Sequence, residues 1–375
     1  MDIYADHASL KPLLPEVKAQ IRNFVDCNFC NPSAIYSNAR ITRNIIEKAR
    51  AKVAEAIGAD SDEIFFTSGS TEAINWVMSQ EFDLVMSAPI EHKAILNQTQ
   101  VLWKLPINKK GTILIEGLDK IIDNNELIAI GYVNNEIGTI QPIKEIADIC
   151  HQNKAKVFVD ATQAIGNIPI NVHELEVDYL CGSGQKIGAL SGCGFLYVRK
   201  GSPISPMEFG GSQERGMRAG TENLIGILAL ATAIKVATKD IENKSVQTAK
   251  QRDKIIKRLL AIPKSHLNGE MGNRVCNNIN MSFEGIEGES LVLQLDTRGI
   301  QCSTGSACNS HSIEPSHVLK AIGLSDDLAR ASVRFTIGDE ITDAEVDYLI
   351  KAVTECIEQL RKMSPMWKEI NNGNN

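Results

Sequence analysis

The sequence predicts a doubly covered, mainly parallel α/β sheet with a smaller α+β domain attached. Three observations lead to this fold class. Between residues 63 and 198, short runs rich in β-branched and aromatic residues alternate with helix-like stretches, as strands joined by helical crossovers do. Polar residues follow the ends of several of these runs, where the ligand edge of such a sheet lies. After about residue 262 the pattern starts afresh, with strand-like and helix-like segments in a new order. A chain of 375 residues can hold two domains. The expected division is a large domain over 16–250 and a small one made of 1–15 with 251–375.

Taken in order, Glu63-Ile64-Phe65-Phe66-Thr67 is the first expected strand. Ser68-Gly69-Ser70-Thr71-Glu72 then reads as a cap opening a helix. Residues 83–87 form the next strand, and a helix is expected near 93–102. The runs at 128–133, 156–159, 177–181 and 195–198 supply further strands, with a helix over 143–153. From 223 to 260 the pattern is helical, apolar first and then charged, and predicts one long helix leaving the first domain. In the small domain, 275–283 and 331–336 read as strands and 289–295 as a helix. The last helix spans 342–363 and opens on Thr342-Asp343-Ala344-Glu345, a capping box.

Hydrophobic content of 43% and charged content of 23% are those of an ordinary globular protein. With 39 Lys+Arg against 46 Asp+Glu, the net charge of −7 argues against bulk nucleic-acid binding. The longest apolar stretch, 224–234, is well short of the ~20 residues of a membrane span. The opening residues Met1 to Asp6 lack a charged n-region and an apolar h-region. A soluble cytoplasmic protein is therefore expected, with most of its nine cysteines as buried thiols. Cys27-Asn28-Phe29-Cys30 is a CxxC with no second pair, so no metal site is expected there.

The residues after the strands carry the chemistry. Thr67, Ser70 and Thr71 at a helix start suit a phosphate, because free N–H groups and the helix dipole both face the anion; ordinary capping uses the same residue types. His92 can stack on an aromatic ligand or move protons, or can be a loop histidine. Asn134 and Asn135 suit a phenolic oxygen or a carboxylate, or can bond backbone in a turn. Asp160 ends an apolar run, where an unpaired acid is costly to bury; a pyridinium nitrogen is a fitting partner. Lys186, in Gly182-Ser183-Gly184-Gln185-Lys186, is pinned between apolar segments by small residues. A lysine so placed can form a Schiff base with an aldehyde cofactor. In that order these residues describe a pyridoxal phosphate site. Cys308, in a run of small polar residues, is a nucleophile if ionised and a plain surface thiol otherwise. Arg334, on an apolar strand, is either a structural ion pair or a clamp for an amino-acid carboxylate.

With these motifs the chain resembles the NifS/IscS-like cysteine desulfurases of the class V aminotransferase group. The resemblance runs nearly the whole length and includes Asn31-Pro32-Ser33, Phe66 to Glu72, Glu91-His92-Lys93, Val133 to Gly138, Val159 to Gln163, Arg215 to Asn223 and Gly305-Ser306-Ala307-Cys308. It implies the fold-type-I pyridoxal-phosphate architecture, with a seven-stranded-type sheet in the large domain and Cys308 carried by the small one. It implies that Lys186 holds the cofactor, Asp160 pairs with the ring nitrogen and Gln163 with the ring hydroxyl. His92 would stack on the ring and assist proton transfer. Ser70, Thr71 and Ser183 would bind phosphate, joined by Thr221 from the partner subunit of a homodimer. Asn135 and Arg334 would hold the carboxylate of L-cysteine. Cys308 would take its sulfur as a persulfide, leaving L-alanine, and pass it to an acceptor protein in iron–sulfur assembly, tRNA thiolation or DNA phosphorothioate modification.

The sequence departs from the family pattern in four places. Gln185 stands where the family has histidine; its amide can still donate to phosphate but cannot charge. Ala189-Leu190 replaces Gly-Pro, His7-Ala8-Ser9-Leu10 replaces the usual N-terminal pattern, and the segment between Trp76 and Phe82 is shortened. Three rival readings are a selenocysteine lyase or β-lyase on the same scaffold, a non-catalytic scaffold of a sulfur pathway, and a metal-binding protein built on the Cys27/Cys30 CxxC.

Overall fold

The computed structural model describes residues 1–27, 29–99, 101–304 and 314–372. Its strands are β1 (Ile3–Tyr4), β2 (Ile64–Thr67), β3 (Leu84–Ser87), β4 (Val101–Lys104), β5 (Glu126–Gly131), β6 (Lys156–Asp160), β7 (Tyr179–Ser183), β8 (Gly194–Val198), β9 (Ser265–Leu267), β10 (Asn278–Phe283), β11 (Ile300–Gln301) and β12 (Ser332–Thr336). The helices are α1 (Pro15–Val25), α2 (Ser37–Ile57), α3 (Ser70–Met78), α4 (Lys93–Leu96), α5 (Ile143–Gln152), α6 (Val172–Leu175), α7 (Leu224–Ala237), α8 (Ile241–Leu259), α9 (Gly288–Asp296), α10 (His317–Ala321), α11 (Asp326–Arg330), α12 (Asp343–Met363) and α13 (Pro365–Asn372).

Seven strands form the main sheet in the order β2-β8-β7-β6-β5-β3-β4. All of its pairings are parallel except those of β8, which runs against both β7 and β2. The inner strands read as continuous apolar runs because both faces are covered. Along β5, Ile128 and Ile130 enter one core with residues of α2, α5 and α7, while Leu127 and Ala129 enter the other with residues of α3. A third core joins Ile3 and Ala5 to β10, β12, α9 and α12. The carboxyl ends of β2, β3, β5, β6 and β7 and the amino end of antiparallel β8 therefore share one edge of the sheet.

Two expectations need correction. The helix expected near 93–102 is the single turn α4, and Val101–Lys104 is instead edge strand β4 beside β3; the β-branched Val101 that opens it suits a pleated edge. The long helix over 223–260 is two helices, broken where Asp240 takes a left-handed φ of 59°. Helix α7 is apolar and mostly buried in the large core, whereas α8 ends with Ile255, Ile256 and Leu259 in the small one. The turn at Asp240 redirects the chain between the two.

The outer edge of β2 is closed by side chains. Glu214 accepts from Phe66 N–H at 2.8 Å and from both terminal nitrogens of Arg50, at 2.7 and 2.8 Å. Arg50 and Arg215 both donate to Ile64 O, at 3.0 and 2.7 Å. This pins the loop that carries Arg218 and Thr221, although Glu214 and Arg215 both sit at left-handed φ.

Candidate active site

A cavity of about 530 Å³ opens at the shared edge, within the range of ordinary ligand pockets. Eleven of the twelve expected site residues can be placed, and ten of them line it: Ser70, Thr71, His92, Asn135, Asp160, Gln163, Ser183, Gln185, Lys186 and Arg334. Cys308 lies outside the described residues. Thr221 is exposed and lines a different pocket with Arg218 and Glu222, so within one chain it does not meet the others.

At one end of the cavity stands the amino terminus of α3. The cap expected at Ser68 is not made: the N-cap is Gly69, which has no side chain to bond, and Ser68 N–H instead donates to Glu72 Oε2 at 2.8 Å. The first-turn amides, which have no partner within the helix, are thus left to an incoming anion. Ser183 Oγ lies 3.6 Å from where a Cβ on Gly69 would be, so its hydroxyl flanks the same turn. Ser70 Oγ meets Thr162 Oγ1 at 2.5 Å. Arg218 holds Glu72 through two bonds, at 2.9 and 3.1 Å, and keeps that carboxyl below its usual range despite burial.

Asp160 ends β6 and accepts Thr162 N–H at 2.9 Å, with the Cys181 thiol at 3.6 Å; both contacts fall on Oδ1. His92 caps α4 with Nδ1 accepting Ala94 N–H at 3.1 Å, so the neutral ring carries its proton on Nε2. Asn134 and Asn135 divide their roles. Asn134 bonds backbone at Ile90, Glu136 and Ile137, whereas the side chain of Asn135 is left to the cavity.

Lys186 Nζ donates to Ala8 O at 2.8 Å and Ser9 O at 2.5 Å. Gln163 Nε2 also donates to Ala8 O, at 2.9 Å. Gln185 uses its carbonyl for Lys11 N–H, at 3.0 Å. Arg334 Nη1 donates to Asn135 O at 2.9 Å, and Nη2 to Asp6 Oδ1 at 2.8 Å and Ser9 Oγ at 2.9 Å. The ion pair weighed for Arg334 is therefore present, with Asp6, and it faces the cavity.

Residues 3–349 match the aminotransferase class-V family. A curated relative, cysteine desulfurase IscS of Methanosarcina thermophila, is 43% identical over 379 residues, covering 97% of this chain and 94% of that protein. This chain belongs to the cysteine desulfurases of the class-V aminotransferase family. Solved structures of the same kind superpose on it. A NifS-like protein has a TM-score of 0.89 and 32% identity, covering 96% of this chain and all of its own. SspA in complex with cysteine has a TM-score of 0.77 and 32% identity, covering 89% and 98%.

Two cavity groups of this cysteine desulfurase, Glu91 and Ser9, and one residue behind Arg334, Asp6, were not anticipated. Glu91 is fully buried; its Oε2 accepts Gly131 N–H at 2.7 Å and its carbonyl accepts from His317 Nε2 at 2.9 Å. Burial pushes its carboxyl up to about 8; the nearby charge of Asp160 adds to the rise and the Gly131 bond opposes it. The available signal was an acid sandwiched between Ile90 and His92 at a strand end. Asp6 and Ser9 carried no such signal, since they reach the site only through the packing of the amino terminus on the small core. Among the described residues no three or more His, Cys, Asp or Glu are grouped to hold a metal, and no helix is long and apolar enough to cross a membrane.

Proposed function

We propose that this enzyme draws the sulfur of L-cysteine onto Cys308 and releases L-alanine, using pyridoxal phosphate held at Lys186. What supports the reading is convergence. An amine, a carboxylate, an open helix amino terminus and a guanidinium meet in one 530 Å³ cavity, and each answers a different part of that cofactor or of an amino acid. When bound, the cofactor supplies an electron sink for carbanions next to its ring.

The protein's residues do the rest. The α3 terminus with Ser70, Thr71 and Ser183 holds the phosphate. Asp160 keeps the ring nitrogen protonated, Gln163 faces the ring hydroxyl, and Gln185 donates to phosphate from the family's histidine position. His92 stacks on the ring and moves a proton through Nε2. Asn135 and Arg334 take the substrate carboxylate. The Cys308 thiolate attacks the substrate sulfur: a sulfur–sulfur bond forms, the carbon–sulfur bond breaks, and its electron pair stays on carbon until a proton completes alanine. The sulfur then passes to an acceptor protein. A second copy of the chain supplies Thr221, which is exposed here on the pinned loop near Phe209, itself 87% exposed. SspA, solved in complex with cysteine, supports this substrate.

The test pairs two variants. Cys308→Ala should keep the visible absorbance of bound cofactor and form no protein persulfide from L-cysteine. Lys186→Ala should leave nothing for borohydride to fix covalently to the chain. Undiminished persulfide in the first, or covalent fixation in the second, refutes the assignment.

A further inference from the structure

Residues 6–11 form a strap between the two cores. It is anchored where Ala8 N–H donates to Thr336 Oγ1 at 2.9 Å and Lys11 N–H to Gln185 O at 3.0 Å. Between these anchors Ser9 is half-buried and Leu10 exposed. Ser9 touches two of the groups assigned above. Its carbonyl accepts from Lys186 Nζ at 2.5 Å, and its hydroxyl meets Arg334 Nη2 at 2.9 Å.

A terminal guanidinium nitrogen carries two N–H groups. At Nη2 they serve Asp6 Oδ1 and Ser9 Oγ. A substrate carboxylate that takes Arg334 in the two-pronged manner through Nη2 must therefore displace one of them. The bond to the Asp6 carboxylate joins two opposite charges, whereas the bond to the Ser9 hydroxyl has a charge on the donor alone, so Ser9 yields first. Ser9 N–H and Leu10 N–H both donate to Asp6 O, at 3.0 and 3.4 Å, and the Tyr4 hydroxyl donates to Leu10 O at 2.7 Å, so when the Ser9 side chain leaves Arg334 its carbonyl shifts only as far as this bonded turn flexes.

We propose that Ser9 is a positioning residue that couples capture of the substrate carboxylate to release of the Lys186 amine. Its hydroxyl holds Arg334 until a carboxylate replaces it. Its carbonyl, beside that of Ala8, receives the amine whenever the amine is not bonded to cofactor. The inference rests on the assignment of Lys186 and Arg334 given under the proposed function.

The experiment uses the cofactor-loaded wild type, Ser9→Ala and Ser9→Thr. Each is titrated with L-alanine and with L-alaninamide, which lacks the carboxylate, while the visible absorbance of the cofactor is followed. Losing one competing hydrogen bond should tighten L-alanine binding roughly two- to tenfold in Ser9→Ala. L-alaninamide should be unaffected, and Ser9→Thr should match wild type with both ligands. At saturating ligand, the absorbance change should be faster for L-alanine than for L-alaninamide in wild type, and Ser9→Ala should narrow that ratio at least twofold. Equal shifts for the two ligands, no tightening for L-alanine, or an unchanged rate ratio overturns the Ser9 proposal alone. A wild type that takes up no pyridoxal phosphate overturns the site assignment, and this proposal with it.

Discussion

Glu91→Gln tests how the buried floor of the cavity handles protons. The Glu91 carboxyl is raised from an ordinary value of 4.5 to about 8, chiefly because burial penalises the charged form. The unfolded chain releases that proton near pH 4.5, whereas the folded chain keeps it until about pH 8. Stability from this group is therefore fully present below pH 4.5 and drains away as pH rises toward 8. At about 1.4 kcal/mol per unit of displacement, the loss between pH 5 and pH 8 is on the order of 3–4 kcal/mol. Glutamine keeps an oxygen for Gly131 N–H and has no proton to lose. Other titrating groups move both proteins alike, so the difference between variant and wild type isolates Glu91. The cofactor-free proteins are melted across pH 5 to 8.5. The midpoint of Glu91→Gln should rise relative to wild type by about 4–5 °C over that span, given the unfolding entropy of a chain this size. Parallel profiles would show that the carboxyl is not held neutral, and the reasoning from burial would fail.

Two further outcomes follow from packing. Arg50→Met should cost about 3–5 kcal/mol, because it leaves the Glu214 carboxylate buried without its cation; hydrogen exchange should quicken across residues 208–223, and a melt within 1 °C of wild type would contradict the pinned-loop account. Gly194→Ala places a Cβ 2.6 Å from both Gly69 Cα and Gly182 O, backbone atoms that cannot step aside. It should lower stability by about 1–3 kcal/mol and weaken cofactor uptake by shifting the α3 turn, whereas Gly272→Ala, with open space at its Cβ, should do neither in the same melting and absorbance titrations.

How much of this could be read from the residues depends on what fixes each element. Strands β5, β6 and β7 are buried on both faces, so their apolar runs are nearly forced, and the polar residues that follow them fall on the ligand edge with little freedom. Asp160 and Lys186 were legible for that reason. The capping box at Thr342 and Glu345 was equally local, and both of its bonds form. The break at Asp240 was not legible, because α7 and α8 together make a sound helical pattern; only the need to pass from one core to another bends the chain there. Edge strand β4 is four residues long and pairs only with β3, too short a run for its pattern to separate strand from helix. Asp6 and Ser9 lie some 180 to 330 residues from the groups they touch, in a strap with no helix or strand period. Their roles come from tertiary placement alone: β1 pairs with β11 and carries the amino terminus into the small core, and the next residues touch Lys186 and Arg334. The departure from the family pattern at His7 to Leu10 therefore falls where the chain touches both the proposed cofactor lysine and the proposed substrate clamp. A change there alters how those two groups are held without altering either of them.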